Sequence, residues 1–176
     1  SEMCIRDRYR LNDKEKFVEK LINFSVDQDY FILLNSNNNS DKYDLLCGYG
    51  VKSFIKSSED SLTKLDSFFE RKKDWLFGYM TYDLRNEIEV LNDDNIGFIN
   101  MPNLYFFQPQ IVWCVKGKNV TGLSFEKDLI DNDWKKFNEI FEKEKTENSN
   151  IVKLNIRNSK SEYINKVNKI KERISR

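Results

Sequence analysis

Histidine is absent from this chain, and that omission removes most of the familiar catalytic chemistry. Without it there is no Ser–His or Cys–His nucleophile pair, no His-ligated zinc and no ordinary general base near neutrality. The six glycines are scattered and form neither a P-loop nor a G-x-G-x-x-G turn. No self-contained hydrolase, NTPase or dehydrogenase signature is therefore present. The three cysteines, Cys4, Cys47 and Cys114, have no C-x-x-C spacing. An odd, widely spread set fits a reducing compartment, and the expectation is a cytoplasmic protein. Charge of one sign is missing too: Lys plus Arg equals Asp plus Glu, 29 each. With no basic block, neither nucleic acid nor an anionic membrane is an expected partner. No run approaches the ~18 apolar residues of a membrane span. The first residues are charged, and no apolar signal-peptide core follows them.

What the chain does have is aromatic side chains, 14% of its residues, within 39% apolar and 33% charged. That composition argues against disorder, and 176 residues suffice for one domain with a sizeable core. The densest aromatic run is Asp74-Trp75-Leu76-Phe77-Gly78-Tyr79-Met80-Thr81-Tyr82-Asp83, between charged flanks. It reads as a strand buried on both faces, with Gly78 marking a bulge or a close backbone approach. Asp83 and Glu87 follow, four apart. On a helix they would share a face, as a metal or acid–base pair or as solvated charges at a helix start.

The remaining segments alternate between the helical and the extended period. Asp13 to Phe24 is predicted as a helix, with Asn12 as cap and Glu15 at the capping-box position. Gln28 to Asn35 is a strand, followed by the polar loop Asn35 to Asp41. Tyr43–Gly48 and Val51–Ile55 are strands joined near Gly48-Tyr49-Gly50. A second helix starts at Ser57 and buries Leu62, Leu65, Phe68 and Phe69. Its basic end, Arg71-Lys72-Lys73, suits a helix C-terminus. Asn92 to Asn95 is a turn. Leu104 to Val115 is long and apolar but contains Pro109, which cannot donate to a ladder, so it is either two strand pieces or an edge strand with a break. Lys116 to Asn119 is a hairpin turn into Val120–Phe125. A third helix, Asp131 to Lys145, presents Trp134, Phe137, Ile140 and Phe141. Ile151 to Ile156 is a short strand. Ser159-Lys160-Ser161-Glu162 is a capping box, opening a helix with Tyr163, Val167, Ile170 and Ile174 on one face. That helix reads as cut off, since neither glycine nor a C-cap signal ends it. Ser1 to Arg8 matches no pattern downstream and is expected to be a non-native leader outside the fold. The class expected is α+β: mostly antiparallel sheets with flanking helices.

Several of these segments, in this order, resemble aminodeoxychorismate synthase component I, of the chorismate-utilising family that includes anthranilate synthase component I. Trp75 to Glu89, reading WLFGYMTYDLRNEIE, is similar to the family's GY(L/M)(S/T)YDLKN(E/D)IE. Met101 to Pro109, reading MPNLYFFQP, is similar to its FP-x-LYFFQP. Leu33-Leu34-Asn35-Ser36 resembles its LL-x-S segment and is followed by Tyr43-Asp44. Ser161 to Ile170 resembles the helix that opens the catalytic domain. The resemblance covers about Tyr9 to Arg176.

The resemblance implies a type of fold, that of the anthranilate synthase component I N-terminal domain, over residues 9–157. Residues 158–176 would be the first helix of a chorismate-binding catalytic domain. The activity implied for the parent protein is amination of chorismate to 4-amino-4-deoxychorismate, on the route to p-aminobenzoate and folate. Ammonia would come from a glutamine amidotransferase partner, and Mg²⁺ would be held by the catalytic domain. The expectation for this chain by itself is no catalytic residue, no cofactor and no activity. In the family the LL-x-S segment and the loop after it line a tryptophan pocket. The corresponding residues here are Leu34, Ser36, Tyr43 and Asp44. Ser36 would hydrogen-bond an amino-acid headgroup, while Leu34 and Tyr43 would wall an indole. Asn35 departs from the feedback-inhibited pattern LLES, and with the glutamate goes an ion-pair partner for an ammonium group. A polar loop after a core strand accounts for the same residues. An anthranilate synthase component I fragment and a standalone binding or interaction domain are the alternatives.

Overall fold

The computed structural model describes residues 5–37, 39, 42–89, 101–139 and 158–174. The class is α+β, with two antiparallel sheets and five helices among the described residues. The chain divides into two compact units, Ser1–Glu142 and Lys143–Arg176.

In the first unit a five-stranded sheet is built from β1 (Ile5–Arg10), β2 (Phe31–Asn35), β3 (Leu45–Tyr49), β7 (Ile111–Lys116) and β8 (Asn119–Ser124). Its order is β1-β8-β7-β3-β2, and every pairing is antiparallel. A smaller sheet has the order β4-β6-β5, from β4 (Ser53–Ser57), β5 (Phe77–Met80) and β6 (Leu104–Gln108). The helices of this unit are α1 (Lys14–Ser25), α2 (Ser61–Lys72), α3 (Arg85–Ile88, after a 3-10 turn at Tyr82–Leu84) and α4 (Lys127–Glu139).

Strand alternation sends the larger sheet's side chains into two cores. Leu45, Cys47 and Tyr49 of β3 and Ile111, Trp113 and Val115 of β7 pack with Phe17, Leu21, Ile130 and Phe137 of α1 and α4. The opposite face offers Val112, Cys114 and Leu123, which pack against Phe77 and Phe107 of the smaller sheet. The first unit is thus layered, with helices over one face of the large sheet and the small sheet over the other. Gly48 makes the second contact possible: a Cβ there would lie 2.8 Å from the Phe77 ring. Gly122 does the same on the helix side, under Trp113 and Ile130.

One polar network crosses the first core. The Tyr49 hydroxyl donates to Asp133 Oδ2 at 2.8 Å and accepts from Trp113 Nε1 at 3.0 Å. Asp133 Oδ1 takes Lys136 Nζ at 2.9 Å. Burial, and then the Asp133 charge, push the Tyr49 hydroxyl far above the usual tyrosine range, so it stays a donor. The network ties α4 to the sheet through Asp133.

Several expectations are corrected. The run Asp74–Asp83 is not a strand covered on both faces: only Phe77–Met80 is extended, and β5 is an edge strand of the small sheet. Its aromatics are buried on one side, and Gly78 packs so tightly on β6 that a Cβ would overlap the Tyr105 carbonyl and lie 2.6 Å from Phe106 Cα. The close approach read at Gly78 is therefore present. Residues 5–8 are not outside the fold, because Ile5–Arg10 pairs along its whole length with β8. Ile5 and Tyr9 turn toward the α1/α4 core, whereas the three arginines between and beyond them are exposed. The cap of α1 is Asp13, not Asn12: Asp13 Oδ1 accepts from the Glu15 and Lys16 N–H groups. The stripe read on α2 is narrower, with Phe68 buried and Leu62 and Phe69 exposed. Helix α4 starts four residues early, at Lys127, and buries Ile130 as well as Phe137. The strands around Gly48-Tyr49-Gly50 do not pair with each other; they belong to different sheets. The break at Pro109 has the same meaning, since β6 lies in the small sheet and β7 in the large one. Asn92–Asn95, Ile140, Phe141 and Ile151–Ile156 lie outside the described residues.

The second unit has α5 (Lys160–Ile174), opened by a capping box as expected. Glu162 accepts from the Ser159 N–H at 2.7 Å, and the Glu162 N–H donates to Ser159 Oγ at 3.3 Å. Its apolar residues Tyr163, Ile170 and Ile174 are exposed.

Replacing Tyr49 with Phe leaves Asp133 buried with one hydrogen bond fewer and Trp113 Nε1 without its acceptor. Unfolding free energy is expected to fall by about 1–3 kcal/mol in urea titration. An unchanged midpoint would show that the network does not hold α4.

Candidate functional site

The four residues singled out above meet in one place. Leu34, Ser36, Tyr43 and Asp44 line a single shallow recess of about 180 Å³ at the end of β2, together with Asn35, Leu45 and Leu46. Strand β2 and the approach to β3 bring them together: the Ser36 N–H donates to the Asp44 carbonyl at 2.9 Å, closing the mouth of the β2–β3 connection. Leu34 is half exposed. Tyr43 stands edge-on to Trp75 at 6.1 Å, with Lys42 Nζ 5.4 Å from its ring centre.

The polar groups of the recess differ in what they have left to offer. Asp44 is committed elsewhere. One carboxylate oxygen accepts from Lys116 Nζ at 3.0 Å, the other from the Gly117 N–H at 2.8 Å, and Lys14 Nζ stands 3.9 Å away. The Gly117 N–H and then Lys116 hold its carboxyl below the usual range. Asp44 thus clamps the β7–β8 hairpin, whose turn needs Gly117 at φ +57°. Asn35 is committed locally, its Oδ1 accepting from the N–H of Asn37, a residue at φ +50°. A glutamate side chain there could not close that tight turn in the same way. Ser36 is the exception: its Oγ is buried and has no hydrogen-bond partner. A buried hydroxyl without a partner costs stability, so this one is a hydrogen-bonding group the recess can offer a ligand.

The acidic pair Asp83 and Glu87 separates into two roles. Asp83 is exposed in the 3-10 turn. Glu87 reaches across to the start of α2, where its carboxylate accepts from the Ser61 N–H and the Ser61 hydroxyl, both at 2.7 Å, and from Asn103 Nδ2 at 2.9 Å. Helix α2 needs this help, because the residue before it, Asp60, is left-handed and makes no side-chain cap. Burial works against the charge on Glu87, but the bonds from Asn103 and Ser61, with Lys64 nearby, hold its carboxyl below the usual range. Glu87 is a helix cap supplied from 26 residues away, and its bond from Asn103 links the two most distinctive sequence segments.

Among the described residues, no group of three or more His, Cys, Asp or Glu side chains is placed to hold a metal ion. No described helix is long and apolar enough to cross a membrane. Neither the protein-family models nor the curated proteins contain a match to this chain.

The depressed carboxyl of Glu87 gives a signed pH dependence. A folded-state pKa below the unfolded value of about 4.3 stabilises the fold above that pH, and the contribution is lost as pH falls through the folded value. Glu87→Ala is expected to cost about 1 kcal/mol at pH 7, the usual worth of a cap. Its loss of stability on acidification below about pH 4 should be shallower than that of the wild type. Parallel curves for the two proteins in urea titrations across pH would contradict the assignment.

Proposed function

We propose that this chain is the N-terminal, non-catalytic part of an aminodeoxychorismate synthase component I. The observation that carries the reading is the convergence of Leu34, Ser36, Tyr43 and Asp44 on one recess with an unpartnered Ser36 hydroxyl. In this reading the domain supplies half of a pocket for an aromatic amino acid. The rest comes from a chorismate-binding domain, which also carries Mg²⁺ and receives ammonia from a glutamine amidotransferase. Exposed apolar side chains support a covering partner: Met80, Tyr82, Ile88 and Met101 lie within the two signature segments and are all at least 45% exposed. Asp44, the carboxylate among the described residues of the recess, is tied to the β7–β8 hairpin, and Asn35 is held in its own turn, so neither is set to pair with an ammonium group. The half-pocket therefore binds weakly, through the indole walls and Ser36.

Titrating tryptophan into the ¹⁵N-labelled chain tests this. Saturable shifts of the Ser36 and Asp44 amides are expected at millimolar ligand, with Ser36→Ala removing them. No saturable shift, or shifts that survive Ser36→Ala, would overturn the assignment of the recess. The chain alone, given chorismate, Mg²⁺ and ammonium, is expected to form no aminated product, and formation of one would contradict the non-catalytic role.

A further inference from the structure

A second recess, lined by different residues, has a different chemistry. It has a volume of about 210 Å³ and lies between the start of α1 and α4. Its floor is aromatic, made by Phe17, Trp134 and Phe137. Trp134 is held flat there: its ring stacks on Tyr9 at 4.1 Å and 19°, and stands 5.9 Å from both Phe17 and Trp113. Its rim is basic. Arg10, Lys16 and Lys20 line it, against one carboxylate, that of Asp13. Asp13 is already occupied, because it accepts the Glu15 and Lys16 N–H groups as the cap of α1. A chain with no net charge has thus gathered three cations around one apolar floor. Arg10 arrives at the end of β1, and Lys20 sits one helical turn beyond Lys16 on α1, so secondary structure fixes where their stems start.

We propose that this recess binds a small aromatic carboxylate, its ring against the Trp134 floor and its carboxylate toward Arg10 and Lys20. The size suits a single ring: an apolar cavity of about 150 Å³ holds benzene, and about 210 Å³ leaves room for a ring and one charged group. The aromatic floor selects a flat body and the basic rim selects an anion, while a neutral amide of the same shape gains only the floor contact. The site is independent of the Ser36 recess, with which it shares no lining residue.

The probe is benzoate, with benzamide as its uncharged isostere, read from the Trp134 indole N–H resonance, which Trp134→Phe identifies. Benzoate is expected to shift that resonance saturably, and benzamide at equal concentration to leave it in place. Lys20→Glu, a change at a half-buried side chain whose fold is checked by circular dichroism, is expected to weaken benzoate by about fivefold. About 0.5 M NaCl should weaken it as well, since the rim is open to solvent. Equal responses to benzoate and benzamide, an undiminished affinity in Lys20→Glu, or shifts at Ser36 without shifts at Trp134 would each overturn the proposal.

Discussion

Strand β7 has no solvent face, and the first unit is arranged to satisfy that constraint. From Ile111 to Val115 every residue is buried, with odd positions under the helices and even positions under the small sheet. A strand of this kind must be flanked on both edges, as it is by β3 and β8, and covered on both sides. Helices α1 and α4 cover one side. The small sheet covers the other, and the chain moves between the two sheets at Gln108-Pro109-Gln110. Trp113 sits at the centre of the helix side, fully buried among Tyr9, Trp134 and Phe137, and its one polar atom is met by Tyr49. Truncating an aromatic in such a position costs about 3–5 kcal/mol. A helix cap such as Glu87 is worth about 1 kcal/mol, so the fold depends on the packing of this strand and the caps adjust its details.

The same constraint explains what was legible in the residues. Pro109 announced its break because a ring without an N–H cannot stay in a ladder. The hairpin at Gly117 and the capping box at Ser159 were legible for the same reason, since local chemistry dictates local structure. Less was visible wherever the partner is distant. The run Asp74–Asp83 has aromatics on both faces and so resembles an interior strand, yet tertiary packing uses one face and leaves β5 at an edge. Glu87 and Ser61 meet only because α3 is folded back on α2, so their pairing cannot be read from spacing. The first strand escaped notice because its outward face carries three arginines, although Ile5 and Tyr9 keep the two-residue period.

The candidate site follows the same division. Residue type and order drew attention to Leu34, Ser36, Tyr43 and Asp44, and the turn between β2 and β3 gathers them. What the sequence withheld was the state of each polar group. Asp44 lies 72 residues from its lysine partner, and only the fold shows that its carboxylate clamps the hairpin while the Ser36 hydroxyl has no partner. A carboxylate next to a recess would ordinarily suggest recognition of a cation, and here the hydrogen bonds of Lys116 and Gly117 divert it to structure.

The reading of the chain as part of a larger chorismate-aminating protein is tested most directly by the coding sequence beyond the codon for Arg176. The account predicts that G-D-I-Y-x-x-N follows the α5 helix and that a PIKGT segment appears later. A PIAGT segment in that place would move the protein to the anthranilate branch, and a stop codon directly after Arg176 would contradict the account.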